Sequence, residues 1–300
     1  MNAKFLLIFL SSACCVYGQN EAAICTKFWN NSYYGYTCDL TIINPNGLNN
    51  FNEISGQHLN GKSNEDVFYI YSYNSGANST NIPSVICQQF PNLDRIQIQR
   101  FGIRAVDDYS FSNCKKIQYI YINENYISQI HENSFQNNPD LLRLSLQYNQ
   151  IAVLPEKLFI NLNKLQMLDL GQNRISTLPT TAFNTLISLD FLLLNNNLLT
   201  NLPANVFNAL KNMTMIYLDS NKLDVIHAFP FGVLPKLKSA NLHSNKIYAI
   251  DEKFIDNTSI NLINMPGNIC ADKRIEDLTT RYVLRRELKQ CFDNYKIIFG

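Results

Sequence analysis

Leu165-Gln166-Met167-Leu168-Asp169-Leu170-Gly171-Gln172-Asn173-Arg174-Ile175-Ser176-Thr177-Leu178-Pro179, with Phe183 and Leu186 following, decides the fold. Rows of 24 residues laid out from Leu93 repeat its pattern, opening at Leu93, Ile117, Leu141, Leu165, Leu189, Met213 and Leu237. Each row opens apolar, two variable, apolar, one variable, apolar, two variable, then Asn. The Asn column reads Asn125, Asn149, Asn173, Asn197, Asn221, Asn245 and Asn268. A Phe column holds Phe111, Phe135, Phe159, Phe183, Phe207 and Phe231, and Pro155, Pro179 and Pro203 share a third column. Internal periods of this length mark stacked repeats, in which each unit packs on its neighbours rather than on one central core.

Each column implies a physical role. Leu168-Asp169-Leu170 alternates with period 2, which predicts a short parallel strand with its leucines inward. The Asn turns the chain after the strand, and its amide is expected to bond backbone groups of its own coil and the next. The Phe fills space on the outer side, where the backbone is irregular. One coil cannot bury its inner face alone, whereas a stack buries a continuous core.

The ends depart from the pattern, as terminal repeats do. Phe101 stands where the first row needs Asn, and the row from Leu237 is one residue short, with Phe254 or Ile255 near its Phe position. An earlier degenerate row spans about Tyr69 to Asn92, with Ile82, Pro83 and Phe90 in register and a strand shifted toward Phe68 and Ile70 as the alternative. A last partial row holds Ile260, Ile263, Met265 and Asn268 and stops at Cys270. The stretch from Thr41 to Asp66 is rich in Asn and Gly and reads as loop. Between Cys270 and Cys291, Ile275, Leu278, Tyr282 and Leu288 predict an amphipathic helix over Lys273 to Gln290 that covers the last open coil. The division is therefore a leader at 1–18, an N-terminal cap at 19–68, repeats at 69–268 and a C-terminal cap at 269–300.

The leader is read from Lys4 and the apolar run from Phe5 to Val16, with cleavage placed after Gly18. No later stretch approaches the roughly 20 apolar residues a membrane helix needs. The expected product is secreted and soluble, without a membrane span. Cys14 and Cys15 leave with the leader, and six cysteines remain. An even number in an oxidising compartment implies disulfides. Repeat positions select the pairs: Cys25–Cys38 in a capping hairpin, Cys87–Cys114 between stacked coils, and Cys270–Cys291 around the terminal helix. Asn30, Asn78, Asn212 and Asn257 stand in Asn-x-Ser/Thr triplets and are candidate glycan sites. A formal net charge of +1 argues against a nucleic-acid partner, which requires clustered positive charge.

Catalytic motifs are absent from the sequence. His131-Glu132-Asn133-Ser134-Phe135 begins like a zinc helix but lacks the second His. There is no Gly-x-Ser-x-Gly elbow and no Cys-x-x-Cys. His58, His131, His227 and His243 sit in unrelated positions of the repeat. The reading is a non-enzyme without cofactor or metal. What remains is the strand face turned away from the core, carried by the third, fifth, seventh and eighth columns. It presents Arg95, Tyr119, Arg143, Met167, Phe191 and Met215 in one column and Tyr121, Asp169, Leu193 and Tyr217 in another, with Asp219 beyond. Met167, Phe191, Leu193, Met215 and Tyr217 should form one apolar patch rimmed by Arg95, Arg143, Asp169 and Asp219. Soluble monomers seldom expose such patches without a partner. Ordinary decoration of a flat sheet is the competing reading, since strands favour aromatic and apolar residues anyway.

These columns resemble the leucine-rich repeat, in the 24-residue type found in extracellular proteins, over about Tyr69 to Asn268. The resemblance implies an α/β solenoid, a horseshoe with a parallel β-sheet on its concave face and disulfide-bonded caps at its ends. The whole is similar to soluble leucine-rich-repeat proteins secreted by insects, which act in recognition of microbial or host proteins, extracellular signalling and matrix organisation. The short stretch after Cys291 leads to the expectation of no coiled-coil tail of the kind by which some immune members pair. The expected function is binding of an extracellular protein on the concave face, in immunity or signalling. A self-associating matrix component is the alternative, and an enzyme or inhibitor with an unrecognised site is a third possibility.

Overall fold

The computed structural model describes residues 23–31, 35–42, 54–73, 81–82, 84–275 and 281–300. The expected leader at 1–18, Asn78, Pro83, Leu278 and the 43–53 part of the Asn/Gly-rich stretch lie outside these residues. The described chain is a solenoid built on one long sheet. Its strands Arg95–Gln99, Tyr119–Tyr121, Arg143–Ser145, Met167–Asp169, Phe191–Leu193, Met215–Tyr217, Ser239–Asn241 and Leu262–Asn264 pair in parallel, each with the strand of the next coil. The register runs Arg95, Tyr119, Arg143, Met167, Phe191, Met215, Ser239, Leu262, so the third column is one straight row on the concave face. The fourth and sixth columns point inward, where Leu168, Leu170, Leu192, Leu194 and Leu218 are fully buried.

The Asn column forms a ladder. Asn173 Nδ2 donates to Leu170 O of its own coil at 3.1 Å and to Leu146 O of the preceding coil at 3.0 Å. Its Oδ1 accepts from Ile151 N–H, also of the preceding coil, at 3.0 Å. Asn149, Asn197, Asn221 and Asn245 repeat the arrangement. The amide therefore binds its own coil and the one before it, not the one after. The reason is the turn that follows the strand, where the residue in the eighth column adopts positive φ. Arg100, Glu124, Tyr148, Gln172, Asn196, Ser220 and Ser244 all lie at φ 54 to 56°. In the first row Phe101 is buried where Asn is absent, and its N–H donates to Asn125 Oδ1 at 2.9 Å.

Opposite the sheet, Phe rings stack from coil to coil. Centroids of Phe159 and Phe183 lie 6.2 Å apart, those of Phe183 and Phe207 6.0 Å, and those of Phe207 and Phe231 5.3 Å. Phe254, not Ile255, continues the column, 4.5 Å from Phe231. The Pro column explains a second feature. Ala105–Val106 pairs with Gln129–Ile130, and Val225–Ile226 with Ala249–Ile250, in two small parallel ladders beside the main sheet. These continue through His131 N–H to Val106 O and Asp251 N–H to Ile226 O, both at 2.8 Å. Pro155, Pro179 and Pro203 occupy that same column in the intervening coils and have no N–H to donate.

All three disulfides pair as expected: Cys25–Cys38, Cys87–Cys114 and Cys270–Cys291, with Cα separations of 5.4, 4.9 and 5.0 Å. At the N-terminal end, Ala23–Asn31 and Gly35–Ile42 form an antiparallel hairpin whose second strand pairs in parallel with Val67–Tyr73. Strand Val67–Tyr73 aligns Tyr69 with Arg95 and Ile70 with Ile96. The degenerate row is thus displaced by two residues: Ile70 turns inward as anticipated, while Phe68 stays exposed. A displacement of two keeps the alternation, so the inward face is preserved. Within the Asn/Gly-rich stretch, Ile54–Ser55 adds a short parallel strand beside the hairpin and Asn64–Asp66 makes a single 3-10 turn.

The C-terminal cap differs from the expected single helix over Lys273 to Gln290. Arg274–Ile275 is an antiparallel strand that pairs with Leu262–Asn264 and ends the sheet. The helices are Arg281–Glu287 and Lys289–Phe299. Leu284, Leu288, Cys291 and Phe292 form the buried stripe, whereas Tyr282 faces solvent. The inward face is therefore the i, i+4, i+7, i+8 set that starts at Leu284. The second helix lies against the last coils: Asn294 Nδ2 donates to Tyr248 O at 2.6 Å, and Lys296 pairs with Glu252 at 3.2 Å. His227 Nδ1 lies 3.0 Å from the Tyr295 hydroxyl.

Candidate functional site on the concave face

Strand pairing assembles the central patch as the alternation requires. Met167, Phe191 and Met215 are register neighbours, as are Asp169, Leu193 and Tyr217. All except Asp169 are partly exposed, while the intervening Leu168, Leu192 and Ile216 are buried. Four of these side chains line a cleft of about 780 Å³. Met167, Phe191, Leu193 and Tyr217 supply its apolar wall, and Arg143 stands at one end. Its other wall comes from the turns entering the strands: Gln166, Asp190 and Thr214, with Ser188, Asn212 and Lys236 one step earlier in their coils. Reading the strand columns alone missed these six, although their column positions in the 24-residue row place them side by side.

Those entering turns are cross-linked between coils. Lys164 Nζ reaches Asp140 at 2.6 Å and Lys236 Nζ reaches Asn212 Oδ1 at 2.7 Å, each touching the equivalent residue of the coil before. The Thr214 hydroxyl donates to Asp190. Arg143 is exposed, and among the described residues its guanidinium has no partner.

The expected rim is only partly present. Asp169 and Asp219 are each 5% exposed and stand in the wall of the sheet rather than on its rim. Asp169 Oδ1 accepts the Gly171 N–H at 3.0 Å and Oδ2 the Ser145 hydroxyl at 3.3 Å. Asp219 Oδ2 lies 3.3 Å from His243 Nε2. Burial pushes both carboxyls above the usual Asp value, outweighing the Gly171 and Ser145 hydrogen bonds at Asp169 and the His243 interaction at Asp219. Arg95 is not a free rim cation either. Its guanidinium sits 4.2 Å from the Tyr119 centroid and 5.7 Å from that of Tyr69. Tyr69, Tyr71 and Tyr73 alternate along Val67–Tyr73, and Arg100 lies over Tyr73 at 4.9 Å. The concave face therefore carries a tyrosine–arginine stack at its N-terminal end, which includes Tyr119 and borders Tyr121. It is separate from the apolar cleft at the centre. The three tyrosines of the degenerate row escaped notice because that row's register was uncertain by two residues.

A pH test follows from Asp169. Because its folded carboxyl titrates above the unfolded value near 4, its contribution to stability is present in acid and lost as pH rises through the folded value. Asp169→Asn keeps an acceptor for Gly171 N–H without the charge. The variant is expected to melt at a higher temperature than wild type at pH 7, with the gap closing at pH 4. An equal gap at both pH values would refute the assignment.

Among the other candidates, His131 and Glu132 are exposed, and His131 Nδ1 accepts the Asn133 N–H at 3.3 Å within a turn. No group of three or more His, Cys, Asp or Glu converges on a metal among the described residues. Asn212 is exposed at the cleft edge and Asn257 is half-buried after the helix Glu252–Asp256. Asn30 lies in the N-terminal hairpin opposite Tyr36.

The leucine rich repeat family matches at residues 91–151, 139–199, 163–223 and 192–247, together more than half of the chain. The chain belongs to the leucine-rich repeat family. Solved leucine-rich-repeat structures share its fold. One is the LRIM1/APL1C complex, at TM-score 0.60 and 21% identity over 69% of this chain and 37% of the other. The TLR13–ssRNA13 complex gives TM-score 0.62 and 25% identity over 69% and 32%. The Drosophila Toll–Spatzle complex, described as a hub in development and innate immunity, gives 0.53 and 22% over 77% and 36%. The chain spans about a third of the length of each of these. No curated protein matches it significantly in sequence.

Proposed function

We propose that this chain is a secreted, insect-type leucine-rich-repeat protein that binds another protein through its concave face, in extracellular recognition. The observation that carries the reading is the apolar cleft centred on Phe191 and Leu193. It lies in the middle of a face that the repeat leaves to solvent, where exposed aromatic and aliphatic groups beside an Arg are the usual makings of an interface hot spot. The similar solved structures are complexes, and two of them, LRIM1/APL1C and Toll–Spatzle, join protein to protein. One is a complex with single-stranded RNA. A net charge of +1 favours a protein partner here, because phosphate contacts require many clustered cations. Three disulfides favour an oxidising compartment. No helix among the described residues is long and apolar enough to cross a membrane.

The test compares wild type with the Phe191→Asp, Leu193→Arg double variant in pull-down from extracellular fluid, with cross-linking and mass spectrometry. Wild type is expected to capture a partner that the folded variant loses. If both capture the same proteins, or each captures only itself, the concave reading fails and self-association replaces it.

A further inference from the structure

The charges around the cleft are arranged asymmetrically, and this has a consequence for what it accepts. Arg143 is exposed at one end, with no partner for its guanidinium among the described residues. At the other side Lys236 is exposed, and among the described residues it is held only by the neutral amide of Asn212. Among the described residues lining the cleft Asp190 is the one carboxylate, and it accepts the Thr214 hydroxyl, so two cations face a single negative charge. Asp169 and Asp219, which would have balanced the cations, are withdrawn into the sheet, and nearby Lys164 and Asp140 cancel each other. Between the two cations the floor is apolar.

Resting on the concave-face reading above, we propose that the cleft takes an acidic segment of its protein partner. An aliphatic or aromatic side chain sits on Phe191 and Leu193, and a nearby carboxylate pairs with Arg143. The spacing is physically accessible. Arg143 and Phe191 lie two strands apart in register, through Met167. At about 4.8 Å per strand this is roughly 10 Å, which an extended peptide crossing the sheet covers in about three residues. An Arg fork beside a partly desolvated apolar surface holds a carboxylate in two parallel hydrogen bonds, so the pair supplies orientation as well as attraction. Two cations are too few to track a phosphate backbone.

A random twelve-residue peptide library displayed on phage is the probe, selected against the intact disulfide-bonded protein. Enriched peptides are expected to carry a bulky apolar residue with Asp or Glu about three positions away. Their binding should weaken about tenfold in Arg143→Ala, recover in part in Arg143→Lys, and disappear in the Phe191→Asp, Leu193→Arg variant. Arg143 is exposed, so its substitution should leave the melting temperature unchanged. Selected peptides that lose binding in the double variant but show no acidic excess, or that tolerate Arg143→Ala, would overturn this inference and leave the concave reading standing. Peptides indifferent to both variants, or no enrichment at all, would overturn both. Tighter binding of a single-stranded RNA oligonucleotide than of the peptides, sensitive to Arg143→Ala, would replace the acidic peptide by RNA.

Discussion

Phe183→Ala is expected to destabilise the protein by about 3–5 kcal/mol, the range for deleting a large aromatic side chain from a closed core. Phe183 is fully buried and lies between Phe159 and Phe207, with centroids 6.2 and 6.0 Å away. Its removal leaves both neighbouring rings without a partner on one side, and the irregular backbone of the outer face has little freedom to close the gap. In a stacked array, stability is close to a sum of coil and nearest-neighbour interface terms. One substitution in the middle therefore weakens two interfaces at once. Urea unfolding with the disulfides intact measures the effect. Ile160→Ala, one residue after Phe159 but 49% exposed, is the control and should change stability by no more than about 0.5 kcal/mol. A loss below about 1 kcal/mol for Phe183→Ala would mean that the Phe column fills space without holding the coils together.

The repeat was legible because its restraints are local and recur. Leu168, Leu170, Asn173 and Phe183 each meet the equivalent part of an adjacent coil, Asn173 the one before it, so one well-formed row predicts the others and the disulfide between stacked coils. The concave patch followed from the same alternation. The terminal features were less legible. Tyr282 was assigned to the buried stripe because it fell at helical spacing from Ile275 and Leu278, but Ile275 ends the sheet as a strand residue. Helical spacing read across a strand has no meaning. The burial of Asp169 and Asp219 was hidden for another reason. A fifth- or seventh-column side chain is covered or exposed according to the size of its neighbours, and Asp169 is sheltered between coils by contacts such as that from Ser145. The polar wall of the cleft was overlooked because it arises from three adjacent turns, Gln166, Asp190 and Thr214, none of which belongs to a strand.

Asn173→Ala tests the ladder that closes the turns from Asn125 onward, and the expected loss is about 2–4 kcal/mol, from the cost of unpaired buried polar groups. Four backbone contacts disappear: Ile151 N–H at 3.0 Å, Leu146 O at 3.0 Å, and Leu170 O and Gly171 O at 3.1 Å each. They are not equivalent. Leu146 O keeps the Asn149 amide, Leu170 O keeps that of Asn197, and Gly171 O keeps the Tyr148 N–H. Ile151 N–H has no such second partner among these bonds and is left orphaned in a dry interior, so it should dominate the loss. Asn173→Asp separates the two halves of the amide. The carboxylate can still accept from Ile151 N–H, but it presents charge to three carbonyl oxygens instead of donating to them. Burial and those carbonyls hold its folded carboxyl above the unfolded value, so the variant should be most stable in acid and lose stability as pH rises. Urea unfolding at pH 4 and pH 7 is therefore expected to show Asn173→Ala equally impaired at both, and Asn173→Asp impaired mainly at pH 7. If the Asp variant matched wild type at pH 7, the acceptor alone would suffice, and the Nδ2 donations that recur at Asn149, Asn197, Asn221 and Asn245 would contribute geometry without stability.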